Sequence, residues 1–203
     1  FPKVPLRDFP FLLLQALLGM FLFRVFMLYG LKFISASDSG IITSSTPAAV
    51  LILSAVILKE RLSREKTAGV ILTIIGLVII NLNIANASSD KNITHLAGVV
   101  LILLAVIGEA MLTIFRKLTS SGVSSLTGTF YVTLLSFLMF SPFAAMEISR
   151  QGFHTVGANQ WLLMLYYGMI VTALGYVLWF RGLSKVPANT AAVYTGCMPA
   201  STL

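Results

Sequence analysis

Two ionisable side chains, Arg24 and Glu109, lie inside long apolar stretches of this chain. A charge in such a stretch is costly within a membrane, so it usually faces a cavity or a partner. The Arg24 guanidinium suits a substrate carboxylate, and Glu109 suits an amine or a coupling proton. The other readings are a structural pair, or a glutamate that extends to the membrane surface. We favour the binding role for Arg24 and leave both readings of Glu109 open.

A run of hydroxyl residues precedes a proline in the apolar stretch 39–58, which reads SGIITSSTPAAVLILSAVIL. Pro47 cannot donate to the carbonyl four residues earlier, and Ser or Thr side chains can replace such a lost bond in lipid. The pattern predicts a membrane helix with a polar, deformable centre. We expect Thr43 and Ser45 to line a cavity and Pro47 to act as a kink or gate, although a proline often only kinks a membrane helix.

The same segment occurs twice. Residues 30–51 and 182–203 align without a gap, and seven of the 22 pairs are identical: Gly30/Gly182, Leu31/Leu183, Ala36/Ala188, Thr43/Thr195, Pro47/Pro199, Ala48/Ala200 and Leu51/Leu203. Paired interrupted segments in two halves point to a transporter's binding site. We therefore expect Pro199 to be a second kink and Tyr194 and Thr195 to line the cavity. Trp179 is interpreted as an interface anchor near a span end.

Composition indicates a protein that crosses a lipid bilayer several times. Hydrophobic residues make up 57% of the chain, charged residues 10%, and the mean hydropathy is +0.92. Soluble domains carry about 25% charged residues. The net charge of +7 does not predict nucleic-acid binding, because the basic residues lie in short loops between apolar spans. The single cysteine excludes an internal disulfide, and the two histidines lack ligand spacing, so we expect no metal or cofactor.

The apolar stretches predict seven spans, at about 10–33, 39–58, 67–84, 96–115, 124–146, 161–180 and from 187 onward. Each complete span is close to the ~20 residues that a bilayer core requires. Asp8 is expected to cap the first span, with Pro10 in its first turn.

Basic residues are unequally divided between the two sides of these spans. Ten lie on one side (Lys3, Arg7, Lys59, Arg61, Arg64, Lys66, Arg116, Lys117, Arg181 and Lys185) and three on the other (Lys32, Lys91 and Arg150). This bias predicts that loops 59–66, 116–123 and 181–186 are cytoplasmic. The first and sixth spans, which are repeat partners, then run in opposite directions, so the repeats are inverted. Loop 59–66, KERLSREK, is interpreted as a solvated segment that sets topology.

The two copies also differ in what surrounds the matched unit. Completing their symmetry requires two further spans before residue 1 and one after residue 203. The predicted fold is therefore an all-α polytopic bundle of two inverted five-helix repeats, with about seven spans in this chain. Residues 1–84 form a partial first repeat, 85–95 an exterior linker, and 96–203 a partial second repeat.

The motifs resemble those of the drug/metabolite transporter superfamily, specifically an EamA-type permease. The matching segments are GLKFISAS (30–37), TSSTP (43–47) and KERLSREKTAGVILTIIGLVI (59–79), followed by GLSKVPANTAA and Pro199 in the second copy. The chain ends before the second Glu-Arg pair. This resemblance implies a ten-helix carrier without catalytic chemistry, which exports amino acids, related metabolites or drugs through a cavity between its repeats.

We therefore expect a secondary transporter that exports small metabolites, namely amino acids or related carboxylates, by alternating access. Its cavity should be lined by the first, second, fourth, sixth and seventh spans. The alternatives are a lipophilic cation or drug exporter and a sugar-nucleotide carrier. A membrane enzyme would need clustered catalytic groups at one depth, and a seven-span receptor would not need an inverted repeat. We expect a bacterial plasma membrane location and leave open whether the carrier forms a homodimer.

Overall fold

The computed structural model describes residues 4–87, 93–152 and 157–195, and all secondary structure in these residues is helical. The helices are α1 (Phe9–Leu14), α2 (Phe23–Gly30), α3 (Ala36–Thr43), α4 (Thr46–Ile57), α5 (Arg64–Ala87), α6 (Ile93–Leu118), α7 (Ser125–Gln151), α8 (Ala158–Tyr166), α9 (Gly175–Leu183) and α10 (Ala188–Thr195). A first π-helical segment, Gln15–Leu22, joins α1 to α2, and a second, Tyr167–Leu174, joins α8 to α9.

Five stretches of the described residues are long and apolar enough to cross a membrane: Phe9–Gly30, Ala36–Ile57, Ile93–Leu118, Ser125–Arg150 and Ala158–Leu183. They correspond to the first, second, fourth, fifth and sixth predicted spans. The third predicted span corresponds to α5, which has 24 residues, and the seventh begins with α10. The prediction of an all-α polytopic membrane bundle is confirmed.

The repeat seen in the sequence recurs in the backbone. The first π-segment begins at residue 15 and the second at residue 167, while α3 begins at residue 36 and α10 at residue 188. Both pairs differ by 152 positions, the same offset that aligns Gly30 with Gly182. Two equivalent sequences therefore adopt the same local geometry, including a π-helical segment, which is a rare feature of the kind often found at functional sites.

Helix α6 forms the centre of the described bundle, packed against α2, α4 and the first π-segment. Its buried face carries small residues that permit close approach, among them Gly108. A Cβ atom at Gly108 would lie 2.6 Å from the Leu18 carbonyl oxygen. Because that neighbour is backbone, only glycine fits, and the contact fixes α6 against the first span.

The contacts of Asp8, at the start of α1, differ from the sequence-based prediction. Asp8 precedes α1 but makes no capping hydrogen bond with its side chain. Its carboxylate instead accepts hydrogen bonds from the backbone N–H and the hydroxyl of Ser120. The predicted Asp8 cap is therefore wrong, because a tertiary contact with the loop after α6 takes the carboxylate.

The prediction that loop 59–66 is solvated is also partly wrong. The Glu60 carboxylate accepts hydrogen bonds from the backbone N–H groups of Ala188 and Asn189, at 3.0 and 2.8 Å. The Lys66 ammonium donates to Asn189 Oδ1 at 2.7 Å. A helix N-terminus has unpaired N–H groups and favours negative charge, so Glu60 caps α10 and ties the two halves of the chain together.

Candidate functional site

Arg24 lies in the first turn of α2, and its side chain extends toward the second π-segment. Its Nη2 atom donates a hydrogen bond to the Tyr167 hydroxyl at 2.8 Å. The guanidinium carbon also lies 5.7 Å from the centre of the Tyr167 ring and 5.9 Å from that of Phe23. Guanidinium groups stack favourably on aromatic faces. Arg24 is therefore held by aromatic side chains, and most of its five N–H donors stay available.

Glu109 lies on α6, two turns before Arg116, and is half-buried. Its Oε2 atom is 2.9 Å from the Thr46 hydroxyl oxygen at the start of α4. Within the described residues, no ion pair joins Glu109 to Arg24. The structural pair considered from the sequence is thus not formed in this conformation, although both side chains reach the same space.

That space is a cavity of about 490 Å³. The residues that line it come from α2, α4, α6, the second π-segment, α9 and α10: Phe23, Arg24, Thr46, Val50, Glu109, Leu112, Thr113, Tyr167, Val171, Thr172, Gly175, Tyr176, Trp179 and Thr195. These elements belong to the first, second, fourth, sixth and seventh spans, the set predicted to line the cavity. Ligand sites in proteins typically enclose 300–1,000 Å³, so the cavity suits a small metabolite.

The cavity is related to the repeat. Applying the 152-residue offset maps Phe23 and Arg24 onto Gly175 and Tyr176, and all four residues line the cavity. The cavity therefore lies between equivalent positions of the two copies. The position of Arg24 in one copy is occupied by Tyr176 in the other. Equivalent backbone positions therefore give the cavity a cation from one copy and a phenol from the other.

The second span is broken where the sequence predicts a polar centre. Helix α3 ends at Thr43 and α4 begins at Thr46, with Pro47 in its first turn. The Thr46 hydroxyl lies 2.8 Å from the Thr43 carbonyl oxygen, which Pro47 cannot serve. The hydroxyl run thus satisfies backbone carbonyls at the break, as expected for such a segment in lipid.

Two of the hydroxyl residues named from the sequence do not line the cavity. Thr43 donates to the backbone carbonyls of Ser39 or Gly40, and Ser45 is buried and donates to the Ile42 carbonyl at 2.6 Å. Both side chains serve the helix break. Thr46, their neighbour, is the hydroxyl that reaches Glu109.

The residues named in the second copy fall in different places. Thr195 lines the cavity, and its hydroxyl donates to the Ala192 carbonyl at 2.7 Å. Tyr194 does not line the cavity and is 67% exposed. Trp179, which was interpreted as an interface anchor, lines the cavity instead. Pro199 lies outside the described residues.

Sequence reasoning missed Thr46, Tyr167 and Tyr176. The repeat offset applied to Arg24 identifies Tyr176, so that residue was within reach of the sequence. Thr46 adjoins Pro47 and belongs to the run of four hydroxyl residues at 43–46, but nothing in the sequence tells which of the four faces α6. Tyr167 has Gln15 as its repeat equivalent, and no sequence signal connects it with Arg24.

The site offers a cation, one acid, aromatic faces and several hydroxyl groups. Such a set can bind a small polar molecule by charge-assisted hydrogen bonds and stacking. Among the residues that the structure describes, no three His, Cys, Asp or Glu side chains cluster as metal ligands would. The arrangement places one cation, Arg24, and one acid, Glu109, in the same cavity.

Comparison with known proteins gives several relatives, two of which are named below as uncharacterized transporters. An uncharacterized transporter of Bacillus subtilis, YetK, is 38% identical over 202 residues, which cover 99% of this chain and 61% of YetK. An uncharacterized transporter of Archaeoglobus fulgidus is 26% identical over 203 residues, 99% of this chain and 69% of the relative. Protein PagO of Salmonella typhimurium is 28% identical over 171 residues, 82% of this chain and 54% of PagO.

The chain thus spans about 61% of the length of YetK. No solved structure matches it significantly. A model of the EamA-like transporter family matches residues 1–82 and 96–203, leaving only a short stretch between the two matches. With relatives named as transporters and five apolar spans in the described residues, this chain belongs to the EamA-like transporter family.

Proposed function

We propose that the full-length protein is a secondary transporter that exports small carboxylate-bearing metabolites, such as amino acids, by alternating access. The observation that carries this proposal is Arg24, which lines the cavity with no acidic partner among the described residues. A guanidinium group binds a carboxylate through two parallel hydrogen bonds. A charged residue within a membrane span usually faces a cavity and has such a task.

The other walls of the cavity fit the rest of an amino-acid-sized molecule. Trp179 and Tyr176 offer apolar surface for a side chain, and Thr113 and Thr172 offer hydroxyl groups. The proposal assigns binding and conformational change to these residues, and no catalytic step. Alternating access would rock one repeat against the other around the cavity.

We further propose that the protein lies in a bacterial plasma membrane with loops 59–66, 116–123 and 181–186 in the cytoplasm. The excess of basic residues in these loops supports this orientation. The partners would be the lipid bilayer and the small-molecule substrate. A homodimer is not needed to form the cavity, because its lining residues all belong to one chain.

A second candidate is the export of an organic cation. The cavity has aromatic faces at Tyr176 and Trp179, and Glu109 is an acid. Aromatic faces and a carboxylate bind cations. Arg24 disfavours this candidate, because its positive charge lies in the same cavity and would repel such a substrate.

The test is a counterflow experiment with the full-length protein in liposomes. A panel of amino acids, related carboxylates and cationic dyes is screened with the wild type, Arg24→Ala and Arg24→Lys. Arg150→Ala is the matched control, because Arg150 is exposed at the end of α7. We expect carboxylate counterflow that Arg24→Ala abolishes and the control retains.

Two results would reject the proposal. Carboxylate counterflow that survives in Arg24→Ala would return Arg24 to a structural role. Counterflow confined to cationic dyes would favour the second candidate and direct attention to Glu109.

A further inference from the structure

The Thr46 hydroxyl lies between two hydrogen-bond acceptors. Its oxygen is 2.8 Å from the Thr43 carbonyl oxygen and 2.9 Å from Glu109 Oε2. In a continuous helix the Thr43 carbonyl would accept from the backbone N–H of residue 47, which is a proline and has none. Thr46 is 7% exposed, and Thr43 is half-buried within the second span, where lipid supplies no hydrogen-bond donor. Among the hydrogen bonds of the described residues, the Thr46 hydroxyl is the donor that serves the Thr43 carbonyl.

A hydroxyl group carries one proton and can donate only once. If Thr46 donates to the Thr43 carbonyl, its contact with Glu109 needs a proton from the glutamate. An ionised carboxylate is an acceptor only, whereas a protonated carboxyl group donates one hydrogen bond. Both short contacts are satisfied together when Glu109 is protonated and donates to Thr46, which in turn donates to the carbonyl.

We infer that Glu109 is a proton-binding site coupled through the Thr46 hydroxyl to the break between α3 and α4. The ligand is a single proton, which binds to the Glu109 carboxylate and leaves as H⁺, with no other bond made or broken. The inference deepens the proposed function, because it gives the transport cavity a second ligand and connects that ligand to a deformable helix.

Loss of the proton would change the hydrogen bonds at the break. The Thr46 proton would turn to the Glu109 carboxylate, because charge-assisted hydrogen bonds are the stronger ones. The Thr43 carbonyl would then lack its donor at the point where Pro47 already interrupts the helix. A half-buried carbonyl that lacks a donor inside a membrane span is costly, so α3 and α4 would rearrange relative to each other.

The other titratable groups around Glu109 allow such a change. Arg24, Tyr167 and Tyr176 line the same cavity. Arg24 is the nearby cation that an ionised Glu109 would attract, and in this conformation it donates to Tyr167.

The remaining titratable groups on the elements around α6 are engaged away from the cavity or lie outside its lining. Asp8 and Asp38 are bound to Ser120 and Ser35, beyond opposite ends of the first span. Tyr29, Tyr194 and Arg181, on α2, α10 and α9, do not line the cavity, and neither do His95, Arg116 and Lys117 on α6 itself. Glu109 is thus the only carboxyl group among the described lining residues.

Infrared spectroscopy of the purified full-length protein in lipid tests the proton site directly. A protonated carboxyl group has a C=O stretching band that an ionised one lacks. We expect such a band in the wild type, its loss in Glu109→Gln, and its displacement in Thr46→Val, which removes the hydrogen-bond partner. Thr113→Val is the matched control, because Thr113 is a buried hydroxyl residue of the same cavity. It should leave the band in place.

Thr46→Ser keeps the hydroxyl and should retain the wild-type band, which separates loss of the hydrogen bond from misfolding. The coupling is read from hydrogen exchange of the backbone amides around Ser45 and Ala49. Their exchange should change with pH in the wild type, and this response should be lost in Glu109→Gln.

The spectra are recorded over a series of pH values. The inference would be overturned if, at every pH, the wild type showed no carboxyl band that Glu109→Gln removes. A band that Thr46→Val leaves unmoved, or an exchange response that survives in Glu109→Gln, would overturn it as well. None of these measurements uses transport. A negative result here therefore leaves carboxylate binding by Arg24 standing, and a negative counterflow experiment leaves the proton site standing.

Discussion

At the scale of single residues, the orientation of Arg24 depends on a neighbour from the other half of the chain. Tyr167 accepts a hydrogen bond from Arg24 and stacks beside its guanidinium. We expect Tyr167→Phe to keep the stacking and lose the hydrogen bond. Hydrogen bonds to charged groups are worth about 1.5–3 kcal/mol. Tyr167 is 48% exposed, so solvent screening weakens this hydrogen bond. We therefore expect the KM of transport to rise about three- to tenfold.

Tyr166 supplies the control for this prediction. It precedes Tyr167 in the chain, is 58% exposed and does not line the cavity. Tyr166→Phe should leave KM unchanged in the same liposome assay. Equal effects of the two substitutions would mean that the Tyr167 hydroxyl does not position Arg24.

The residues of the site differ in how far the sequence predicts them. Arg24 and Glu109 were found because a charge in an apolar stretch is expensive and therefore informative. Tyr167 was not, because a tyrosine in a membrane helix carries no such penalty, and its partner is 143 positions away. Tyr194 was predicted to line the cavity and Trp179 to anchor at an interface, whereas Trp179 is the one that lines the cavity. Which way a side chain points depends on helix rotation, and helix rotation is set by packing.

At the scale of elements, Glu60 joins the loop after α4 to the N-terminus of α10. Its carboxylate accepts from two backbone N–H groups, and a helix cap typically contributes about 1 kcal/mol. We expect Glu60→Ala to raise the hydrogen-exchange rates of the Ala188 and Asn189 amides about fivefold. The measurement is hydrogen exchange followed by mass spectrometry on the full-length protein.

Glu65→Ala is the matched control for the cap, because Glu65 is an exposed carboxylate in the first turn of α5. It should leave both amides unchanged. If Glu60→Ala and Glu65→Ala had the same effect, the exchange would report loop charge in general and not a cap on α10.

Sequence reasoning predicted most of the helical elements and missed their irregularities. The spans follow from runs of apolar residues, and the break near Pro47 follows from the missing N–H. The two π-helical segments were not predicted, since no residue type in Gln15–Leu22 specifies the i→i+5 hydrogen bonds of a π-helix. The Glu60 cap was missed because the local sequence of loop 59–66 contains no sign of a partner 128 positions away.

At the scale of the whole molecule, the repeat explains where the cavity lies. Equivalent positions of the two copies, Arg24 and Tyr176, both line the cavity, and α6 packs beside both the first and second spans. Glu60 connects the copies at one end of the bundle. A carrier that alternates between two openings must make and break contacts between its repeats at its two ends, and the Glu60 contact is one that such a motion would break.

The unequal distribution of basic residues predicts an orientation in the membrane that can be measured. Ten basic residues on one side against three on the other predict that loop 116–123 is cytoplasmic and that linker 85–95 is exterior. In full-length protein with Cys197→Ser, Asn92→Cys should react with a membrane-impermeant maleimide in intact cells. Ser121→Cys, which is exposed in the loop after α6, should react only after the cells are permeabilised. The reverse labelling pattern would invert the orientation, whereas labelling of both sites in intact cells would place both loops on one side and remove the basis for inverted repeats.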